Sequence, residues 1–299
     1  MTRSMLYSGE MNILVNKHFA NQNDKENWQE DTIQVHVQGI AVDVNFFYNR
    51  NKNAIVIPAP LAVKEVMAGD FFEPSYQTAI SAIETRIGNS RFSVSTSLIG
   101  KGAGALHYVA FHKDHDGRMA IFDSKFSDPE RFLNSADKPN LPEKIWGYLT
   151  APIRFIAFKL GFGHTTQSVF LGKEIAVHRL GTQPALDWVS CGYHSGGAVL
   201  TMMDVIDQEN QPSLASITQT IKRMKDMDLK AENLLKPAAP ALVPPISSAL
   251  SVLGGSAQQD TRGPQLELER APIQTTGLTV RSAWIHDEEE ANTGMAMNV

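Results

Sequence analysis

The chain has 299 residues and a formal net charge of -5, from 27 Lys and Arg against 32 Asp and Glu. With 42% hydrophobic residues it can bury a real core in one large domain or two modest ones. The mild acidity excludes a general nucleic-acid binder, and the single cysteine, Cys191, excludes an internal disulfide framework and points to a reducing compartment.

The segment MTRSMLYSGEMNILVNK has no basic region followed by an apolar run, so no Sec-type signal peptide is expected. No run of about 18 apolar residues occurs, so no transmembrane segment is expected. Residues 32–39 and 41–48 alternate apolar and polar side chains as half-buried strands do, and 54–58 is a short apolar run. Residues 75–89 repeat Ile80, Ile83 and Ile87 on one helical face. Alternation returns at 91–100, before a loop containing GKGAG (100–104). Two adjacent strands follow at 107–114 and 117–124, joined by hairpin-turn chemistry at Asp114, Asp116 and Gly117. His112 and His115 flank that turn and read as exposed turn residues rather than metal ligands.

A helical stretch is expected over 144–163 and a strand over 173–180. The stretch 144–163 is apolar with Arg154 and Lys159 inside it. It suits a core or protein-docking helix, or weak membrane contact at a bilayer interface. Residues 188–207 begin as a loop and continue as a buried helix, and Pro212 and Ser213 open a last helix carrying Leu214, Ile217, Ile221 and Met224 on one face. From residue 231 the chain is rich in Ala, Pro, Ser and Gly, with Trp284 its only aromatic residue, so 231–299 reads as a mostly disordered tail with a short helix near 246–253. The fold class expected for 1–230 is α+β, a central mixed sheet flanked by helices.

The chemistry centres on Cys191. Ser190, Cys191 and Gly192 lie where a loop turns into an apolar helix, so the thiol faces the positive end of a helix dipole. Gly192 allows close approach of a substrate backbone, and the Cys191 N–H is placed as half of an oxyanion hole. A cysteine nucleophile needs a base, and the base an orienting group. His107 begins one expected strand and Asp123 ends the next, so antiparallel pairing brings them together at one edge of the sheet. Gln183 is a candidate second oxyanion donor. His194, shortly after the cysteine, reads as a locally packed side chain.

The residues L-His107-Tyr108-V-A-F, then M-A-I-F-Asp123-S, then Gln183-P-A-L-D-W-V-S-Cys191-G are similar in order to the clan CE cysteine proteases. These comprise the ubiquitin-like-protein proteases (the Ulp/SENP group), adenain and bacterial effector deubiquitinases. The resemblance covers roughly 75–207. Tyr108 stands where the family commonly has Trp, and Gln183 is further from the cysteine than the family's usual glutamine. The resemblance implies a papain-like catalytic domain with no cofactor and no metal. The implied reaction is thiol hydrolysis after the C-terminal glycine of ubiquitin or a ubiquitin-like protein, releasing modified host proteins. It gives Cys191, His107, Asp123 and Gln183 catalytic roles, and Tyr108, Trp188 and Gly192 substrate-binding ones. A YopJ-type acetyltransferase with a similar Cys-His-acid set, or an inactive binding module, are the alternatives. The terminal HDEEEANTGMAMNV resembles type IV secretion signals, which implies a bacterial effector acting in a host cytoplasm.

Overall fold

In β1 (Trp28–Val37) and β2 (Ile40–Asn49), Ile33 and Val35 pair with Val44 and Val42. Between the strands Gln38 and Gly39 both adopt positive φ, at 50° and 85°. Two such residues make the tight hairpin turn whose twist matches that of the strands. The structure is a computed structural model and describes residues 8–20, 27–64, 66–68, 71–101, 106–125, 129–134, 140–160, 164–183, 187, 190–209 and 211–235. All of them fall in one compact unit, Met1–Ala241. The expected helix near 246–253, the acidic terminus and Trp188 lie outside the described residues.

The remaining strands are β3 (Ala54–Val56), β4 (Leu61–Ala62), β5 (Val66–Ala68), β6 (Phe71–Glu73), β7 (Ser93–Lys101), β8 (Leu106–Lys113), β9 (Met119–Asp123), β10 (Thr165–Phe170) and β11 (Lys173–Arg179). The main sheet runs β1-β2-β3-β7-β8-β9-β11-β10, with β4 also on β7, and β5 and β6 pair separately. It is mixed: β3 and β4 lie parallel to β7, and β11 parallel to β9, while the other neighbours are antiparallel.

Helices cover both faces. The period of two in the central strands divides their side chains between two cores. Ala110, Ala120 and Phe122 join the core built with α1 (Ser8–Ala20), α5 (Cys191–Gln208), α6 (Leu214–Arg223) and α7 (Met227–Leu235). Val109, Phe111 and Ile121 join the core built with α2 (Tyr76–Ile87) and α3 (Pro129–Asn134). The α2 helix is capped at both ends: Ser75 Oγ accepts from the Thr78 N–H, and Gly88 closes it with φ 72°. The α7 helix crosses the compositional shift at residue 231, and its Met227 and Ala231 are fully buried. It crosses α5 so closely that a Cβ on Gly197 would sit 1.9 Å from the Met227 carbonyl oxygen.

Two expectations need correction. The turn after β8 is not simply exposed: His112 is fully buried with Nδ1 3.0 Å from Ser95 Oγ, and Asp114 is buried as acceptor for the Arg118 N–H. Burial holds the His112 imidazole near pKa 3, with the charges of His115 and Lys113 adding to the effect, so it stays neutral. The stretch 144–163 is also not a core helix. It forms α4 (Leu141–Lys159), whose large apolar side chains include Ile145, Trp146 and Leu149 exposed to solvent.

Candidate active site

The β8–β9 register pairs Ala110 with Phe122, so the two strands end side by side at the edge that carries His107 and Asp123. There the His107 Nε2–H donates to Asp123 Oδ1 at 2.7 Å, and both residues are buried. The same carboxylate oxygen accepts the Lys125 backbone N–H at 2.8 Å, which fixes its position independently of the imidazole. Alternation along β8 places His107 with Val109 and Phe111, and the Phe132 ring of α3 stands edge-on to the imidazole, 6.1 Å between centroids. Gly100 of β7 makes that approach available: a Cβ there would lie 2.9 Å from the Phe132 carbonyl oxygen.

Cys191 opens α5 on the opposite face and reaches His107 across the end of the sheet. With Nε2 committed to Asp123, Nδ1 is the ring atom left for the thiol. Burial works against charge on His107, but the Asp123 charge and hydrogen bond, helped by the Cys191 sulfur, outweigh it and raise the imidazole to about 9. Burial likewise pushes the Cys191 thiol up. The hydrogen bond to His107 and its charge, the Tyr108 backbone N–H and the Lys125 ammonium reverse this and hold the thiol below its ordinary value. Both shifts favour the charged pair over the neutral hydrogen bond.

Tyr108 takes part through its main chain. Its side chain is buried in a small cluster with Ala62, Ile99 and Cys191, so it forms the wall behind the sulfur. Gly192 is buried in the first turn of α5. Ser190, before the cysteine, makes no capping hydrogen bond. Its Oγ–H donates to Asp187 Oδ2 and its N–H donates to Asp187 Oδ1 at 3.0 Å. The amides that open α5 are thus not occupied by the Ser190 side chain, and a helix start offers such N–H groups to an anion.

Gln183 is buried and belongs to the same network. Its Nε2–H donates to the Asp187 carbonyl at 2.7 Å, and its Oε1 accepts from Ser124 Oγ at 2.9 Å. Its backbone N–H donates to the Ser124 carbonyl at 3.0 Å. Gln183 therefore ties the residue after Asp123 to the residue that orients Ser190, and so couples the His–Asp edge of the sheet to the start of α5. His194 is buried, with Nδ1 3.3 Å from Thr182 Oγ1.

The sequence reading missed Lys125, Ser124, Asp187 and Phe132. Lys125 is two residues from Asp123, and Asp187 lies between Gln183 and Cys191 in the motif already singled out, so proximity to the motif was the available signal. Burial pulls the Lys125 ammonium down, while Cys191, Asp187 and Asp123 favour its charged form. Among the described residues no three His, Cys, Asp or Glu side chains converge as metal ligands. No family model, curated protein or solved structure matches the chain.

Proposed function

We propose that the chain is a cysteine hydrolase with the papain-like arrangement of clan CE. It removes ubiquitin or a ubiquitin-like modifier from host proteins, as an effector acting in the host cytoplasm. The observation that carries the reading is the buried line Asp123, His107, Cys191: a 2.7 Å carboxylate–imidazole bond beside a thiol at a helix N-terminus, with the imidazole raised to about 9 and the thiol held below its ordinary value.

In this reading the Cys191 thiolate attacks the carbonyl carbon of the scissile amide. Negative charge on the carbonyl oxygen is met by the Cys191 N–H and the positive end of α5, with Gln183 as a further donor. The His107 imidazolium gives its proton to the leaving amine as the C–N bond breaks, leaving a thioester on Cys191. Neutral His107 then takes a proton from water, which attacks the thioester and frees the carboxylate and the thiolate. Asp123 holds the ring and favours its charged form. Cys191 is only 2% exposed. A nucleophile so enclosed suits a slender extended tail ending in glycines better than a bulky side chain. Tyr108, Gly192 and Trp188 are the substrate-binding candidates.

Aspartate as the acid favours this reading over a YopJ-type acetyltransferase, which commonly uses glutamate. The test is covalent trapping with C-terminal electrophile probes made from ubiquitin and from the ubiquitin-like modifiers. One adduct that disappears in Cys191→Ala is expected. Absence of any adduct, with self-acetylation in the presence of acetyl-CoA and inositol hexakisphosphate, would replace the hydrolase by the acetyltransferase.

A further inference from the structure

The helices α2, α5 and α6 each have a serine at the N-cap: Ser75, Ser190 and Ser213. By its backbone each serine occupies the same place. Its carbonyl accepts the N–H four residues on, from Ala79, His194 and Ile217 at 3.0, 3.1 and 3.2 Å. A serine there ordinarily turns its hydroxyl oxygen onto the amides of the first turn. Ser75 and Ser213 do so, with extended backbones (φ -66°, ψ 151° and φ -74°, ψ 154°). Their Oγ atoms accept the Thr78 and Ser216 N–H at 3.2 and 3.1 Å. Ser190, next to the candidate nucleophile, does not: its backbone is right-handed helical (φ -86°, ψ 0°) and its side chain makes no capping bond. The difference is a carboxylate. Asp187 Oδ1 accepts the Ser190 N–H at 3.0 Å, and Asp187 Oδ2 accepts the Ser190 Oγ–H.

We propose that Asp187 is a positioning residue: by holding the Ser190 side chain away from α5, it keeps the first-turn amides open for the oxygen of an acyl substrate. This role rests on the hydrolase reading, in which Cys191 attacks a carbonyl. Without the carboxylate, Ser190 has what Ser75 and Ser213 have, a free hydroxyl beside a helix start. Ser190 is fully buried, so that hydroxyl has few partners besides the α5 amides. Capping them would occupy a donor that the developing oxyanion needs. The main chain is held separately, because the Asp187 carbonyl accepts the Gln183 Nε2–H at 2.7 Å. No substitution of the Asp187 side chain removes that bond, so the carboxylate can be deleted while this anchor of the loop stays. Asp187 also favours the charged Lys125 ammonium, an effect that Asn and Ala variants lose alike.

The test compares two reactions of Cys191 in the full chain. With p-nitrophenyl acetate the thiolate attacks the ester carbonyl, the C–O bond breaks to release p-nitrophenolate, and an acetyl thioester remains. The carbonyl oxygen carries negative charge on the way. With iodoacetamide the thiolate displaces iodide from carbon, and no oxyanion forms. The ratio of the two second-order rates therefore follows the oxyanion site and cancels changes in thiol ionisation. Asp187→Ala is expected to lower the ratio about tenfold, the strength of an ordinary serine cap. Asp187→Asn should keep it within about threefold, because Oδ1 still accepts the Ser190 N–H and Nδ2–H can donate to Ser190 Oγ. Asp187→Ala/Ser190→Ala should restore most of it by removing the competing hydroxyl. An unchanged ratio in Asp187→Ala, a fall as large in Asp187→Asn, or no recovery in Asp187→Ala/Ser190→Ala would overturn the positioning role. So would a wild-type chain that takes no acetyl group on Cys191, since an open oxyanion site beside a thiolate admits so small an ester. The modifier probes described above test the hydrolase reading independently, so an adduct with those probes beside any of these results would sink the role of Asp187 alone.

Discussion

Replacing Asp123 by Asn separates charge from shape at the candidate site. Asn Oδ1 can still accept the Lys125 N–H that now reaches Asp123 Oδ1 at 2.8 Å, so the loop after β9 keeps its anchor. What disappears is the negative charge 2.7 Å from His107 Nε2. Burial by itself disfavours the imidazolium, and only Asp123 and Cys191 lift the ring from 6.5 to about 9. That displacement corresponds to roughly 3 kcal/mol in favour of the charged ring. In Asp123→Asn the ring loses the largest effects that raise it, so its titration should move down from about 9 toward the neutral form at pH 7. The thiol then loses its cationic neighbour, and burial drives it back toward the protonated form. The assay is the second-order rate of Cys191 alkylation by iodoacetamide, followed by intact mass from pH 5 to 10. At pH 6 the variant should react on the order of 100-fold more slowly, and the two rates should converge at high pH, where both thiols ionise. Coincident pH–rate curves, with an unchanged melting temperature, would refute the argument that Asp123 sets the charge state of the pair.

The sign of the wider pH dependence follows from the same shifts. Turnover should rise with pH through the depressed Cys191 value, as thiolate forms, and fall again as His107 loses the leaving-group proton near pH 9, which a kcat/KM profile would read as the apparent values of the pair. Gly197→Ala should cost on the order of 3 kcal/mol or displace α7, because its Cβ would meet Met227 backbone at 1.9 Å; a denaturant melt and proteolysis within 224–235 would register it. Gln183→Ala should slow turnover about tenfold or more while destabilising the fold only modestly, since it cuts the link from Ser124 to Asp187. Unchanged turnover in that variant would remove Gln183 from both the positioning and the oxyanion roles.

Much of the architecture was legible because it is written in local periods. The alternation in 32–39, 41–48 and 91–100, the triple isoleucine face of α2 and the Ser213 start of α6 each became the expected element within a few residues. The closeness of His107 and Asp123 was readable too, since a hairpin turn at Asp114–Gly117 fixes which strand ends meet. Short elements escaped: β4, β5 and β6 are two or three residues long, and so short an apolar run has no period to recognise.

The sequence by itself determined that a mixed α and β chain would form, that its only thiol would open a buried helix, and that a histidine and an aspartate would share a strand edge. Those are consequences of spacing along the backbone. Only the tertiary structure decided how the thiol, on the face packed by α5, meets an imidazole on the face packed by α3, because that contact joins residues 84 apart across the end of the sheet. It also decided that Gln183 and Asp187 would brace the start of α5 through Ser124, a network of bonds between segments with no common period. Most of all it decided the fate of α4. An apolar helix suits a core or a surface equally well by composition, and its solvent-facing side is set by what the rest of the chain leaves uncovered.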